Sequence, residues 1–97
     1  MDIGQTIYRV RKEKGIKQKD LAKGAGISAT YLSQIENGQR IPTLDILQKI
    51  STEINIPLSI LSFLSLDIDS IPEDKKFAYK QIKPLLDGLV ENIFLKP

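Results

Sequence analysis

The chain of 97 residues contains no cysteine and no histidine. Without cysteine, neither a disulfide nor a thiolate metal site can form. Without histidine, the commonest general base and the commonest transition-metal ligand are both missing. Serines are present, but none has an imidazole to activate it. No Walker glycine loop and no GxGxxG occur. Asp67 and Asp69 lack the third acidic ligand and the glycine that would fold a loop around a cation. Long hydrophobic runs are missing too. The longest uncharged run, Ile54–Leu66, is too short to span a bilayer. The opening MDIGQTIYRVRKEKG carries charges where a signal peptide needs an apolar stretch. The expectation is a cytoplasmic protein with no metal, no cofactor, no catalytic residue and no membrane contact.

What is present suits one small globular domain. Apolar residues make up 41% and charged residues 27%, ordinary values for a chain that buries a modest core. The net charge is only +2, and its distribution says more than its size. The first forty residues carry eight basic and four acidic side chains, the remainder six basic and eight acidic. The positive excess therefore lies in the first half, where a polyanion such as a phosphate backbone would meet it.

The chain is organised around Gln18–Asn37, QKDLAKGAGISATYLSQIEN. Leu21, Ala22 and Ala25 share one helical face, and Leu32 and Ile35 share another. Gly26 between them permits a left-handed turn, Ile27 fills the gap, and Ser28 suits the N-cap of the second helix. This is a helix-turn-helix, with Ala29, Thr30, Ser33, Gln34 and Asn37 facing away from the core. Before it, Ile3, Ile7 and Val10 form a first helix that Gly15 ends. Lys17 stands where a capping Ser or Thr would be stronger. After it, Asn37-Gly38 marks a turn. Thr43 caps a fourth helix whose buried stripe is Leu44, Leu47, Ile50 and Ile54. Pro57 opens a fifth helix reaching about Leu64.

SLDIDSIP reads as a linker, giving a division into residues 1–66 and 67–97. Ser70 and Glu73 have capping-box spacing. From Glu73 to about Leu95 the pattern is helical, with Ala78, Ile82, Leu86, Leu89 and Ile93 as a seam that Leu85, Val90 and Phe94 widen. Pro84 predicts a kink or two helices there. The fold class is all-α: five helices in a helix-turn-helix domain plus a C-terminal helical segment.

Gln18, Ala22, Gly26, Ile27, Leu32 and Ile35 resemble the pattern of phage-repressor-like (Xre/Cro) helix-turn-helix regulators, whose fold is lambda-repressor-like. RVRKEKGIKQ before the motif and ENGQRIPTLDILQKIS after it extend the resemblance over roughly residues 3–64. It implies a bacterial or phage DNA-binding regulator, and it implies an ion pair between Arg11 and Glu36 that is structural and does not touch DNA.

On that reading Gln18 holds a backbone phosphate beside a helix N-terminus. Ser28, Ala29, Thr30, Tyr31, Ser33 and Gln34 belong to the helix, residues 29–37, that enters the major groove. There glutamine can pair with adenine, and threonine or alanine can meet a thymine methyl. Tyr31 fits either packing or a backbone contact. Asn37 and Arg40 match the backbone-contacting loop, and Arg40 can also reach a narrow minor groove. The bland alternative at each position is a solvated polar surface. One such helix reads too few base pairs, so a homodimer on an inverted repeat of double-stranded DNA is expected, acting as a repressor. The dimer surface is either the C-terminal segment or the fifth helix with Leu58, Leu61 and Phe63. Two other readings keep the fold: an antitoxin or similar module whose C-terminal segment binds a partner protein, and a restriction–modification controller.

Overall fold

The computed structural model describes residues 2–96, and its helices begin where side chains can receive orphan backbone amides. Asp2 caps α1 (Ile3–Glu13), its carboxylate accepting from the Gln5 amide at 2.8 Å. Ser28 caps α3 (Ala29–Glu36), accepting from the Tyr31 amide at 3.0 Å. Thr43 caps α4 (Leu44–Ile54), accepting from the Ile46 amide at 3.2 Å. α2 (Gln18–Gly24) starts at Lys17, whose side chain makes no capping bond. α5 (Leu58–Leu64) starts at Pro57, whose missing amide hydrogen would have been an orphan anyway.

The helix ends are built alike. Gly15, Gly26, Gly38 and Asn55 take positive φ after α1, α2, α3 and α4. At each, the next residue's amide reaches back five residues to close the turn: Ile16 to the Arg11 carbonyl, Ile27 to Ala22, Gln39 to Gln34 and Ile56 to Ser51. This is the Schellman motif, in which an apolar residue past the left-handed position packs back on the helix. Ile16 and Ile27 pack against the core, and Ile56 is buried within it. The exception is the corner after α3, where the exposed Gln39 occupies that place.

The core lies among α1–α5. Ile7, Val10, Leu32, Ile50 and Leu61 are fully buried at its centre, with Leu21, Ala22, Ala25, Ile35, Ile54 and Ile56 around them. α3 packs on α1 and α2, α4 on α2, and α5 on α1 and α4. Gly4 lets α1 cross the end of α3, because a Cβ there would run into the Ile35 carbonyl oxygen. A buried polar contact ties α5 to α1, with the Ser65 hydroxyl 2.8 Å from the Thr6 hydroxyl.

Two corrections concern this core. Leu44 is 72% exposed and does not extend the α4 stripe. Counting back from Ile50 at helical spacing gives Leu47 and Ile46, both packed on the core, and leaves Leu44 in the first turn on the far side. Leu61 is fully buried and Phe63 packs against the same core, so α5 is consumed internally and offers little dimer surface.

Beyond Leu64 come two single turns of 3-10 helix, Ile68–Ser70 and Glu73–Lys75, then α6 (Lys76–Val90) and a π-helical turn, Glu91–Leu95. That last turn is closed by the Lys96 amide on the Glu91 carbonyl at 3.0 Å. Ser70 is no helix cap; its hydroxyl donates to the Asp67 carbonyl, and Pro72 opens the next turn. Pro84 does not divide α6. The carbonyl it leaves unpaired belongs to exposed Lys80, where water can reach it. The expected seam faces outward: Ile82, Leu85, Leu89 and Ile93 are each at least half exposed and Leu86 is 37% exposed. Only Val90, Phe94 and Leu95 join the core. Among the described residues the protein is all-helical, and no helix is long and apolar enough to cross a membrane.

Candidate nucleic-acid interface

α2 and α3 meet at the turn through Gly26, and their packing through Leu21, Ala22, Ala25, Leu32 and Ile35 decides which side of α3 is left outside. Ala29, Thr30 and Asn37 are exposed on that side, and Ser33 and Gln34 are half-buried beside them. The Asn37 amide nitrogen lies 3.5 Å from the Ser33 hydroxyl, a long contact that leaves both groups free for other partners. α3 ends at Glu36, with Asn37 as its right-handed cap residue, one residue short of the range read from sequence. Tyr31 is half-buried and packs against the core, so its ring is a packing group. Ser28 is exposed, with its hydroxyl engaged by the Tyr31 amide.

The loop after α3 is folded onto the helix end. The Gln34 carbonyl accepts from the Gln39 amide at 2.8 Å and from the Arg40 amide at 3.2 Å. Arg40 is thereby fixed at its backbone while its guanidinium projects into solvent. Next to it Ile41 is 94% exposed. Lys17, the N-cap of α2, and Lys19 and Lys23 within α2 are exposed cations of the same two-helix unit. This surface is thus polar, net positive and organised by backbone hydrogen bonds.

Behind it lies a buried charged network. Arg11 Nε donates to Glu36 Oε2 at 2.8 Å and its Nη2 to Oε1 at 3.0 Å, while Nη1 donates to the Ile16 carbonyl at 3.0 Å. The two side chains are 8% and 2% exposed. Glu36 Oε1 also accepts from Gln18 Nε2 at 3.0 Å. One carboxylate therefore joins the ends of α1, α2 and α3. Gln18 spends one amide hydrogen inward and keeps the other and its carbonyl oxygen for an outside partner. The bond from Gln18 to Glu36 was not foreseen from sequence. Its only signal was that both residues flank the same two-helix unit, which gives no distance.

These residues can bind, and they can bind an extended polyanion whose edges carry donors and acceptors. The helix-turn-helix family model matches residues 7–61 of the chain. The chain is 41% identical over 66 residues to the ImmF control region 10 kDa protein of Bacillus phage phi105, covering 68% of this chain and 73% of that protein. It is 42% identical over 60 residues to the HTH-type transcriptional regulator SinR of Bacillus subtilis, covering 61% of this chain and about half, 54%, of that regulator. Among solved structures, the clp gene regulator ClgR from Corynebacterium glutamicum superposes with a TM-score of 0.64 at 17% identity, over 97% of this chain and 92% of that one. That likeness speaks for the fold alone. With a polar helix face, a positive border and a family match spanning more than half its length, this chain belongs to the helix-turn-helix family of DNA-binding transcription regulators.

Proposed function

We propose that the chain is a repressor that binds an inverted-repeat operator as a homodimer, placing α3 in the major groove. The observation that carries this reading is the outward side of α3, with Thr30, Ser33, Gln34 and Asn37 held by a helix whose other side is fully packed. Gln34 and Thr30 read base edges, Ser33 and Ala29 add short contacts, and Gln18, Asn37 and Arg40 hold phosphates. Repression follows from a bound protein excluding polymerase from the same stretch of duplex.

Residues 1–66 form the DNA-reading unit, and residues 67–97 supply the dimer contact. Support for the second half comes from α6 and the turn after it, whose outward stripe of Ile82, Leu85, Leu86, Leu89 and Ile93 is too continuous to be left in water. A two-fold axis through such a contact sets the two α3 helices to reach successive major grooves about 34 Å apart. A different protein occupying the same stripe is the second reading, since the stripe fits either partner. Selection of sites from random duplex DNA at near-physiological salt, with sedimentation of the free protein, separates them. An enriched inverted repeat and a dimer support the repressor. A monomer that binds only in a sequence-independent, salt-sensitive manner refutes it.

A further inference from the structure

A cavity of about 530 Å³ takes none of its lining residues from α3. It is an open groove between the end of α1, the C-terminal half of α4, the loop through Asn55 and the final turn of the chain. Its volume lies within the range of small-molecule sites, about 300–1,000 Å³. Its walls are chemically one-sided: two lysines, Lys14 and Lys96, and no carboxylate among the described residues. Gln48, Ser51, Thr52 and Asn55 form a polar wall, and Ile56, Pro57, Ile93 and Phe94 an apolar one.

Lys14 is half-buried and pairs with no carboxylate among the described residues. Its ammonium donates to the Ile54 carbonyl at 2.6 Å, which uses one of three donors. Burial lowers its pKa from 10.5, as expected of a cation removed from water without a compensating anion. Glu13, the nearest acid in sequence, lines a smaller neighbouring cavity together with Lys14 and Lys96, but it makes no ion pair with either lysine and its one partner is Arg9, at 3.7 Å on the surface. Lys96 is exposed and makes no ion pair among the described residues.

We propose that this groove binds a small amphipathic anion, its carboxylate on Lys14 and Lys96 and its apolar body on Ile56, Pro57 and Phe94. Such a ligand would tie the final turn to α4 and to the end of α1. It supplies the counter-charge that Lys14 lacks and covers apolar surface where the final turn of the described residues meets α4 and the end of α1. The proposal does not depend on the operator reading, because it concerns the free protein.

The test is a titration of the DNA-free, full-length chain with octanoate, followed by amide NMR, with octanol and acetate as the neutral and the headgroup-only probes. Octanoate should move resonances of residues 48–57 and 93–96, leave α3 unmoved, and bind at least about tenfold more tightly than either comparison compound. The Lys14 ammonium should titrate at higher pH when octanoate is bound. Lys14→Met and Lys96→Met should each weaken binding. Lys96→Met decides the question if Lys14→Met does not fold, since Lys96 supports nothing else. Equal binding of octanol, shifts outside the groove, an unmoved Lys14 titration, or octanoate affinity unchanged in Lys96→Met would each overturn the proposal.

Discussion

Replacing Glu36 by alanine is the sharpest test of how this domain is held together. The carboxylate is 2% exposed and its removal leaves the Arg11 guanidinium, itself 8% exposed, with two donors unpaired and only the Ile16 carbonyl remaining. Gln18 loses its inward partner at the same time. Stripping one member from a buried ion pair costs about 3–5 kcal/mol, mostly because the remaining charge stays out of water. A domain of this size is stable by only about 5–15 kcal/mol, so the loss is a large fraction of the total. At about 4–8 °C per kcal/mol, the melting temperature should fall by at least about 12 °C. Urea unfolding followed by circular dichroism at 222 nm measures it directly. The second arm is the pair Arg11→Met with Glu36→Leu, which removes both charges and keeps the volume. That variant should recover most of the loss, because a buried pair is often replaceable by apolar side chains at little cost. A loss below about 1 kcal/mol in Glu36→Ala, or a double variant as unstable as the sum of its singles, would refute the argument from desolvation.

Other outcomes follow from single contacts. Gly4→Ala should destabilise by about 1–3 kcal/mol in a thermal melt, since the new methyl meets the fixed Ile35 carbonyl oxygen. In operator titrations, Gln34→Ala should cost about 1–3 kcal/mol and relax preference at one base position, while Arg40→Ala should weaken all sequences alike and lower the salt slope by about one. Leu85→Glu with Leu89→Glu should sediment as a monomer with an unchanged helical spectrum, because both side chains already face water. Lys14 should titrate below 10.5 by NMR. Between its lowered folded value and 10.5 the unfolded chain holds the proton that the folded chain has released, so Lys14 adds stability as pH rises through that window. Wild type should therefore gain stability relative to Lys14→Met over the same interval, as the cost of burying the charge is relieved.

The parts of the fold written in local chemistry were legible in the sequence. Ser28 and Thr43 are caps because their hydroxyls act within three residues, and Gly15, Gly26 and Gly38 mark left-handed turns because other residues resist that backbone. The core of α1–α5 could be read because apolar spacing reports which face is buried. Leu44 was misread because its spacing fits a stripe only when the helix start is ignored; in the first turn it has no neighbour to cover it. For Ser70, and for a division into two helices at Pro84, the rules were sound but the surroundings differed, a competing acceptor at Asp67 in one case and access to water in the other. The destination of the α6 seam was not legible, since an apolar stripe looks the same whether it faces its own domain or another molecule. Nor was the Gln18 bond to Glu36, which joins residues eighteen apart through a geometry that no periodicity encodes.

The repeated helix endings have a consequence for the order of events at synthesis. Each corner is closed by bonds between residues at most six apart, and most of the packing they direct joins helices near one another in the chain, with α5 returning to α1 as the long-range exception. Such low-contact-order helical domains fold in about microseconds to milliseconds, whereas a ribosome adds only about 5–20 residues per second. Folding of the body through Leu64 is therefore fast compared with the synthesis of the residues that follow it. The apolar stripe follows the body in sequence, so the helices that precede it hold their own corners without it.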